Sequence, residues 1–335
     1  MATAHPPSTV PTTRPAGTNT LQVVFNDGSG SITNQWQFTV VSVPVIPVAD
    51  ALPLNQAGLA GFAIQIAKAV DTAPPSDFPP TILRAKLHLA GQIIDVNTGL
   101  PYPNLAAGTN NGFFDETNTI NYEINGTNSS GNATFPQSLT NFPYIPASPT
   151  NNFISMAANM YVQLSPGLYT FAVRSDDGFM VTASTNFATT NVTLGVFDAG
   201  RSDSTPTTFS FIVQAAGLYP MRLIYDQGQF GGSVELYAVT SNGNVLLNDR
   251  SNPNAINTYR TIVAPLTILN PAHSGNTSTF SFQTVNGQNY TVLFRNALTD
   301  ATWLTNSVVT GDGTVINITD NTATNATRFY QIRSP

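Results

Sequence analysis

The chain of 335 residues contains no cysteine. Without a thiol, the protein has no disulfide bond, no cysteine-ligated zinc and no thiol nucleophile. Its stability must therefore come from buried apolar surface or from a bound metal ion. Hydrophobic residues make up 41% of the sequence, which is enough to build a sizeable core.

Charged residues are scarce, at 9% of the chain against about 25% in an average soluble domain. Lysine occurs only at Lys68 and Lys86, and the formal net charge is −6. No basic stripe is available to neutralise phosphates, so a nucleic-acid partner is excluded. No apolar run approaches the roughly 18 residues of a transmembrane helix, so no membrane span is expected. Threonine and asparagine are abundant instead, which favours strands and turns.

Catalytic motifs are also missing. The three histidines, His5, His88 and His273, stand outside any Ser/His/Asp pattern, and neither Gly-x-Ser-x-Gly nor His-Glu-x-x-His occurs. Asp115 and Glu116 are adjacent in "GFFDETN". A glycosidase needs its two carboxyl groups roughly 5–9.5 Å apart across a sugar, and neighbours on one loop rarely provide that separation. We therefore predict that the protein is not an enzyme.

The N-terminal region is predicted to contain a tail and a hairpin. Residues 1–18 are rich in proline and threonine, which is typical of an extended tail. They lack the basic and apolar regions of a secretory signal, so export would need a signal outside this sequence or another route. Within residues 19–48, apolar residues alternate in "TLQVVFNDGSGSITNQWQFTVVSV" on either side of a glycine-rich turn, which predicts a β-hairpin. An isolated two-stranded hairpin is marginal in water and must pack on another surface.

Residues 52–252 are predicted to form an antiparallel β-sandwich. We expect two strands in residues 58–96, "GLAGFAIQIAKAV" and "TILRAKLHLAGQIIDV", although both patterns also suit helices. Residues 97–151 are rich in Asn, Gly, Pro and Thr, which predicts a long loop. Further strands are predicted in "NFISMAANMYVQL", "GLYTFAVRS", "GFMVTASTN", "TTFSFIVQAAGLYPMRLIYDQ" and "GGSVELYAVTSNGNVLLND".

Two segments of this region repeat one pattern. "YVQLSPGLYTFAVRSDDG" and "FIVQAAGLYPMRLIYDQG" each contain an apolar strand, a small-residue turn, Gly-Leu-Tyr, and an alternating strand that ends in an acid and a glycine. The pattern predicts two paired hairpins within the sandwich. Residues 265–335 predict a separate small β-sandwich, with a hairpin turn at Asn286–Gly287 and a Gly-Asp-Gly turn at residues 311–313.

"GLYTFAVRSDDGFMVTAS", followed by "AAGLYPMRLIYDQGQFGGSVELYAV", resembles the PA14-type β-sandwich over residues 153–240. The insert "LGVFDAGRSDSTPTTFSF" resembles versions of that module in very large secreted bacterial proteins, and the 19–48 hairpin is similar to the end of an Ig-like domain. The resemblance implies an extracellular or cell-surface location. Family members include sugar-binding adhesins, modules attached to glycosidases, and a pore-forming toxin component. In the adhesins, paired aspartates joined by a cis peptide bind calcium, and the calcium binds sugar hydroxyls.

The resemblance transfers two calcium ligands to this chain, Asp176 and Asp177. Calcium prefers six to eight oxygen ligands, and the loop "YDQGQFGG" would add Asp226 and Gln229 at the same end of the sandwich. Asp198, Arg201 and Asp203 could approach the pair from the intervening loop. Two other interpretations remain open. Asp176 could cap the turn while Asp177 is solvated, or the guanidinium of Arg201 or Arg174 could neutralise the pair without metal.

Aromatic residues near that end could stack on a sugar ring, although aromatics on alternating strands are mostly core residues. The candidates are Phe179, Phe187, Phe197, Phe230 and Tyr237, and we select Phe230 as the glycan contact. The first functional hypothesis is a calcium-dependent module that binds a glycan or cell-surface polymer. The second is a structural subunit of an extracellular filament or surface layer, in which residues 1–45 contact a second copy of the chain.

Overall fold

The computed structural model of the protein describes residues 17–26, 29–40, 42–108, 110–128, 130–146, 151–263, 266–285, 287–325 and 327–334. These residues form several β-sheets, paired almost entirely in antiparallel fashion, and a single α-helix. The predicted all-β class is confirmed. No helix in the described part of the chain is long and apolar enough to cross a membrane. Most of the predicted tail, residues 1–18, lies outside the described residues.

The N-terminal hairpin is present. β1 (Gly17–Asn26) pairs with β2 (Ser31–Val40), with Leu21 opposite Trp36. Within the described residues neither strand pairs with a third one. Ile32 and Trp36 lie four residues apart and so face the same side of β2, where they are 69% and 51% exposed. The hairpin therefore presents apolar side chains to solvent.

The central sandwich contains two sheets and one helix. Its elements are β3 (Val45–Ile46), β4 (Phe62–Lys68), α1 (Ile82–Leu89), β5 (Phe113–Glu116), β6 (Asn121–Glu123), β7 (Ile154–Leu164), β8 (Gly167–Asp176), β9 (Gly178–Ala183), β10 (Val192–Phe197), β11 (Thr207–Val213), β12 (Gly217–Gln227), β13 (Ser233–Thr240), β14 (Gly243–Leu246) and β15 (Thr258–Tyr259). The first sheet has the order β10-β9-β12-β7-β4-β5, with β15 beside β7. The second has the order β14-β13-β8-β11-β3, with β6 beside β13.

The core lies between these sheets and follows the two-residue period of the strands. On β12, every second residue from Tyr219 to Tyr225 is buried in the shared core. Phe171 and Val173 of β8 face them from the second sheet. Burying a large apolar side chain contributes about 1.5–3 kcal/mol, so this cluster is the main source of stability.

The segment "TILRAKLHLAGQIIDV" was predicted to be a strand, and this prediction is wrong. Residues 82–89 form α1, whose first turn is capped by the Thr81 hydroxyl, 3.3 Å from the Arg84 amide. Ile82, Ala85 and Leu89 are buried at helical spacing, whereas Leu83 is 66% exposed. Two prolines before the cap end the preceding chain, so helical periodicity and capping decide the structure here.

The two repeated segments do not form the paired hairpins that the sequence pattern predicted. β7 pairs with β12 in the first sheet, while β8 pairs with β11 in the second. Each repeat therefore passes from one sheet to the other at its small-residue turn. The two repeats are therefore two crossings between the sheets. They are related in sequence, and their strands are neighbours in both sheets.

The predicted long loop, residues 97–151, contributes two short strands. β5 pairs with β4 at the edge of the first sheet, and β6 pairs with β13 in the second. Glu235 of β13 accepts hydrogen bonds from the Thr134 and Phe135 amides, both at 3.0 Å. A buried carboxylate thus fixes the later part of this loop to the sandwich.

The C-terminal part contains two three-stranded sheets. They are formed by β16 (Leu269–Ser274), β17 (Thr277–Gln283), β18 (Asn289–Arg295), β19 (Leu304–Thr310), β20 (Val315–Asp320) and β21 (Phe329–Arg333). Within the described residues the strand orders are β16-β17-β20 and β19-β18-β21. Phe282 and Tyr290 lie in one core shared by the two sheets, as predicted for a small sandwich. β17 and β18 belong to different sheets, so the predicted hairpin between them is wrong; Asn286 itself lies outside the described residues.

Candidate functional site

Three connections between the two large sheets meet at one end of the central sandwich. β8 leads into β9 at residues 176–178, β10 into β11 at residues 198–206, and β12 into β13 at residues 228–232. Asp177 contacts both other connections. Its Oδ1 accepts a hydrogen bond from the Arg201 amide at 2.8 Å, and its Oδ2 accepts one from the Gly228 amide at 2.9 Å. The Asp177 carboxylate is therefore held in one orientation.

The peptide bond between Asp176 and Asp177 is cis, as the family resemblance implied. The backbone around it is fully engaged. Ser175 Oγ donates to the Asp177 carbonyl at 2.7 Å, and the Tyr225 hydroxyl donates to the Asp176 carbonyl. The polar groups of the main chain are satisfied here, which leaves the two carboxylates as the groups available to a ligand.

The Asp176 carboxylate differs from that of Asp177, because no residue that the structure describes donates a hydrogen bond to it. The side chain is only partly exposed. Burial, and next the negative charges of Asp177 and Asp203, raise the pKa of Asp176 to about 8, against the opposing charge of Arg201. Burial also raises the pKa of Asp177, although its two amide donors and Arg201 limit the rise. Two carboxylates thus lie together in a setting that disfavours their charge.

Arg201 does not neutralise the pair through an ion pair. Its guanidinium donates to the Ser175 carbonyl at 3.1 Å and to the Thr207 hydroxyl at 2.7 Å. It also lies over the Phe197 ring, 4.3 Å from the centroid. Its contact with Asp177 is made by the main-chain amide. The positive charge of Arg201 opposes the rise in the pKa of both aspartates, but its guanidinium donates hydrogen bonds to other groups.

Arg174 is likewise occupied. Its guanidinium lies 3.3 Å from Glu235 and 3.4 Å from Asp203, and all three side chains are almost fully buried. Burial favours a higher pKa for Asp203, but hydrogen bonds from Asn132 and Ser130, together with Arg174, lower it overall. Neither arginine proposed from the sequence therefore neutralises the aspartate pair by direct contact.

Glycines line the space around the two carboxylates. A β-carbon at Gly231 would lie 2.9 Å from Asp176 Oδ2, and one at Gly228 would lie 3.2 Å from Asp177 Oδ2. A β-carbon at Gly200 would lie 3.4 Å from Asp177 Oδ1. A side chain at any of these positions would crowd a carboxylate oxygen, so glycine lets two of the three connections approach the aspartate pair closely.

The structure places Asp226 beside the pair, since the Asp177 amide donates to its carbonyl at 3.3 Å, but it does not group the Asp226 carboxylate with the other two. On β12 the side chain of Tyr225 enters the core, so the next residue faces the outer side of the sheet, where α1 packs. Asp226 accepts a hydrogen bond from Ser155 at 2.8 Å, and burial raises its pKa to about 8. Within the described residues, no three acidic or histidine side chains are placed to hold one ion. Gln229 lies on the 228–232 connection and is partly exposed.

The candidate aromatic residues divide into core and surface. Phe179 and Tyr237 are fully buried, whereas Phe230 is 77% exposed. Phe187 and Phe197 are partly buried. Phe230 has a φ of 70°, and its amide donates to Asn152 Oδ1 at 2.9 Å. This bond holds Phe230 next to Gly231, at the edge of the carboxylate pair.

Sequence reasoning missed the residues that shape the site without charge. Asn152, Gly228 and Gly231 lie in irregular connections, and none of them belongs to a periodic pattern. Asp198 was expected near the pair, but its carboxylate accepts a hydrogen bond from the Ile82 amide at 2.7 Å. It thus joins the 198–206 connection to the start of α1. The adjacent glycines at residues 231–232 were the sequence signal that the backbone here comes close to another group.

Comparisons with known proteins give likenesses among solved structures. Neither the family models nor the curated proteins match this chain. The A domain of epithelial adhesin 9 from Candida glabrata, solved with Galβ1-3GlcNAc, is 14% identical over 66% of this chain and 97% of that domain, with a TM-score of 0.37. The PA14 domain of the MpAFP antifreeze protein is 17% identical over 60% of this chain and 91% of its own, with a TM-score of 0.36. The PA14 sugar-binding domain from an RTX adhesin is 16% identical over 57% of this chain and 96% of its own, with a TM-score of 0.35.

The residues at this end of the central sandwich fit a hard cation such as Ca²⁺. Asp176 supplies a carboxylate to which no described residue donates, Asp177 supplies a second one held by two amides, and glycines let the neighbouring connections come close to both. Calcium takes oxygen ligands in variable number, including carboxylates, amide oxygens and water. The pair, with Gln229 on the neighbouring connection, is the donor set that this end of the sandwich offers.

Proposed function

We propose that the protein is a non-enzymatic, extracellular module that binds carbohydrate through a cation at Asp176 and Asp177. The observation that carries the proposal is the Asp176 carboxylate, which lies half-buried beside a second carboxylate and receives no hydrogen bond from the described residues. Burying a carboxylate without a partner is unfavourable, and the group must find one or become protonated. A divalent cation would supply that partner.

Calcium suits this pair better than magnesium. Magnesium requires near-octahedral geometry with short bonds and keeps its waters, whereas calcium accepts irregular sets of six to eight oxygens. Two adjacent carboxylates on a tight connection are an irregular set, and an ion held by only two protein carboxylates would have coordination positions left for other oxygens. Vicinal hydroxyls of a sugar are neutral oxygen donors that can occupy such positions.

Phe230 supplies the apolar half of a sugar contact. It is the most exposed of the candidate aromatic residues, and it directly precedes Gly231, whose β-carbon position is 2.9 Å from Asp176 Oδ2. An aromatic ring packs against the apolar face of a sugar, while oriented polar groups fix the hydroxyls. A cation for the hydroxyls and a ring for the face would together hold one sugar unit.

A glycan-binding experiment tests this proposal. The wild type should bind a subset of glycans on an array in millimolar Ca²⁺ and release them in a chelator. Asp176→Asn removes one charge at nearly constant shape and should abolish binding. Phe230→Ala should weaken it by about tenfold, as expected for the loss of about 1.4 kcal/mol of stacking.

Matched variants control for charge and exposed aromatic surface. Asp115→Asn removes a carboxylate on β5 that is 69% exposed, and Phe113→Ala removes a ring that is 48% exposed. Both should bind as the wild type does. Glycan binding that persists in chelator, or in Asp176→Asn, would refute the cation site. Binding that needs Ca²⁺ but ignores Phe230→Ala would refute only the aromatic contact.

A second candidate function is assembly into a filament or surface layer, and the β1–β2 hairpin favours it. Its two strands pair only with one another within the described residues, and Ile32 and Trp36 are exposed on one face. A two-stranded sheet with an apolar face is marginal alone and is stabilised when that face is covered. A second copy of the chain is the partner that we assign to it.

Sedimentation and electron microscopy test the assembly role. Replacing both Ile32 and Trp36 with serine should convert assemblies to monomers, as should deletion of residues 1–45. Val24→Ser changes an apolar residue on the other face, which is 55% exposed, and should leave assembly intact. A wild type that stays monomeric at high concentration, or an assembly that survives the double substitution, would contradict this function.

A further inference from the structure

A pocket lies on the outer face of the first sheet, away from the aspartate pair. It has a volume of about 450 Å³ and lies between α1 and the 184–191 connection from β9 to β10. β12 contributes Arg222 and Ile224 to its floor, and β9 contributes Met180 and Thr182. Lys86 of α1 stands at its edge and is exposed. Within the described residues, two cationic side chains thus line one pocket in a chain of net negative charge.

Arg222 has no acidic partner in the described part of the chain. None of the lining residues described for the pocket is Asp or Glu, and none of the ion pairs involves Arg222 or Lys86. One guanidinium nitrogen of Arg222 donates to the Phe187 carbonyl at 3.1 Å, while its buried Nε has no hydrogen-bond partner. Burial alone lowers the pKa of Arg222, with no carboxylate opposing it.

This environment contrasts with that of the other partly buried arginines of the sandwich. Arg174 lies between Asp203 and Glu235, and Arg201 faces the field of two aspartates. A partly buried guanidinium with an unused N–H group is unfavourable until an anion or another acceptor pairs with it. Its planar donors match the two oxygens of a carboxylate.

The rest of the pocket selects for an organic group over a bare inorganic ion. Leu89, Met180, Phe187 and Ile224 provide apolar wall, and Thr182 provides a hydroxyl. The negative end of α1 does not oppose an anion directly, because the Leu89 carbonyl already accepts a hydrogen bond from Gln65 at 2.9 Å. An apolar wall beside an unpaired guanidinium fits a carboxylate on a ring-sized carbon body.

We infer that this pocket, built around Arg222 and Lys86, binds a small organic carboxylate. Arg222 holds the carboxylate through its free N–H groups, Lys86 adds attraction at the rim, and the apolar wall contacts the body of the ligand. The site is independent of calcium, since the aspartate pair contributes nothing to it.

Titration followed by NMR tests the pocket with defined probes at constant ionic strength and in the presence of a chelator. Sodium benzoate and sodium D-glucuronate present the same carboxylate on an apolar and a polar ring, and benzamide and D-glucose are their uncharged counterparts. Saturable shifts are expected for Thr182 and for the amides of residues 187–190 with at least one carboxylate. The uncharged counterparts should give none. The stronger of the two carboxylates identifies the kind of body that the wall accepts.

Variants assign the binding to the two cations. Arg222→Gln should weaken binding by at least about tenfold, which is the usual loss for one charge-assisted contact. The exposed Lys86→Gln should weaken it by about two- to threefold without risk to the fold. Arg250→Gln removes an equal charge at an exposed position over Tyr259 and should change nothing. The inference is overturned if neither carboxylate shifts these resonances, if sodium sulfate shifts them equally, or if Arg222→Gln and Lys86→Gln both bind like the wild type.

Discussion

Replacing Arg174 with methionine is expected to lower the free energy of unfolding of the sandwich by about 3–5 kcal/mol, the usual effect of removing one partner from a buried ion pair. Arg174 is 2% exposed, and its guanidinium lies between the carboxylates of Asp203 and Glu235. Methionine fills a similar volume but leaves both acids buried without their cation. The loss therefore comes mainly from two uncompensated charges.

The effect should reach beyond the ion pairs themselves. Asp203 and Glu235 also hold the loop that precedes β7, since Ser130 donates to Asp203 at 2.7 Å and Thr134 donates to Glu235 at 3.0 Å. If the acids become protonated or move toward water, those bonds weaken as well. Hydrogen exchange in residues 130–138 is expected to rise in the variant before the core strands are affected.

Calorimetry is the appropriate measurement, because both tryptophans lie outside the central sandwich. Trp36 belongs to the hairpin and Trp303 to the C-terminal part, so their fluorescence reports other regions. Arg174→Lys retains a charge and should lose less than methionine does. Arg250→Met removes an exposed arginine and should change stability by no more than about 0.5 kcal/mol.

Restoring charge balance provides the decisive control. Adding Glu235→Gln to Arg174→Met removes one of the two uncompensated acids and should recover part of the loss. A loss below about 1 kcal/mol in Arg174→Met would mean that the network is solvated and behaves as a surface ion pair. Equal loss in the single and double variants would mean that packing, rather than charge, determines the effect.

Strand periodicity accounts for how much of the fold the sequence could predict. β7, β8 and β12 were located because a half-buried strand alternates its side chains with a period of two. α1 was missed because Leu83, Ala85, Leu87 and Leu89 alternate as in a strand, while Ile82, Ala85 and Leu89 recur at helical spacing in the same short run. Only the Thr81 cap and the packing of Ile82 and Ala85 against Ile224 of β12 separate the two, and that packing is tertiary.

The candidate site likewise contains residues that a local motif predicts and residues that depend on tertiary structure. The Asp176–Asp177 pair was found through its resemblance to a family motif, which concentrates information in a few adjacent residues. Asp226 was assigned because its loop was expected at the same end of the sandwich, and β12 does pair Asp226 with Gly178 there, but strand parity turns its side chain to the outer face of the first sheet. Arg201 and Gly231 reach the pair from other connections between the sheets, and their approach depends on sheet topology that no local pattern reveals.

The largest ligand effect is expected from calcium acting on the stability of the wild type and of Asp176→Asn. In chelator, Asp176→Asn should be at least as stable as the wild type, because a neutral group replaces a half-buried carboxylate to which no described residue donates a hydrogen bond. In Ca²⁺ at about 100 times the dissociation constant, the wild type should gain about 2.7 kcal/mol by mass action. For a unit of this size that gain corresponds to a rise of roughly 5–10 °C in Tm.

The order of stability is therefore expected to reverse between the two conditions. Asp176→Asn should melt at the same temperature with and without calcium, while Asp115→Asn, which loses the ion pair with Arg260, should gain as much from calcium as the wild type does. Mg²⁺ at the same concentration should give a smaller rise, because it tolerates irregular ligand sets poorly. A wild type that melts identically in calcium and in chelator would exclude a calcium site here. If Asp176→Asn gained as much from calcium as the wild type, the ion would have to lie elsewhere, and the half-buried Asp176 carboxylate would need another partner.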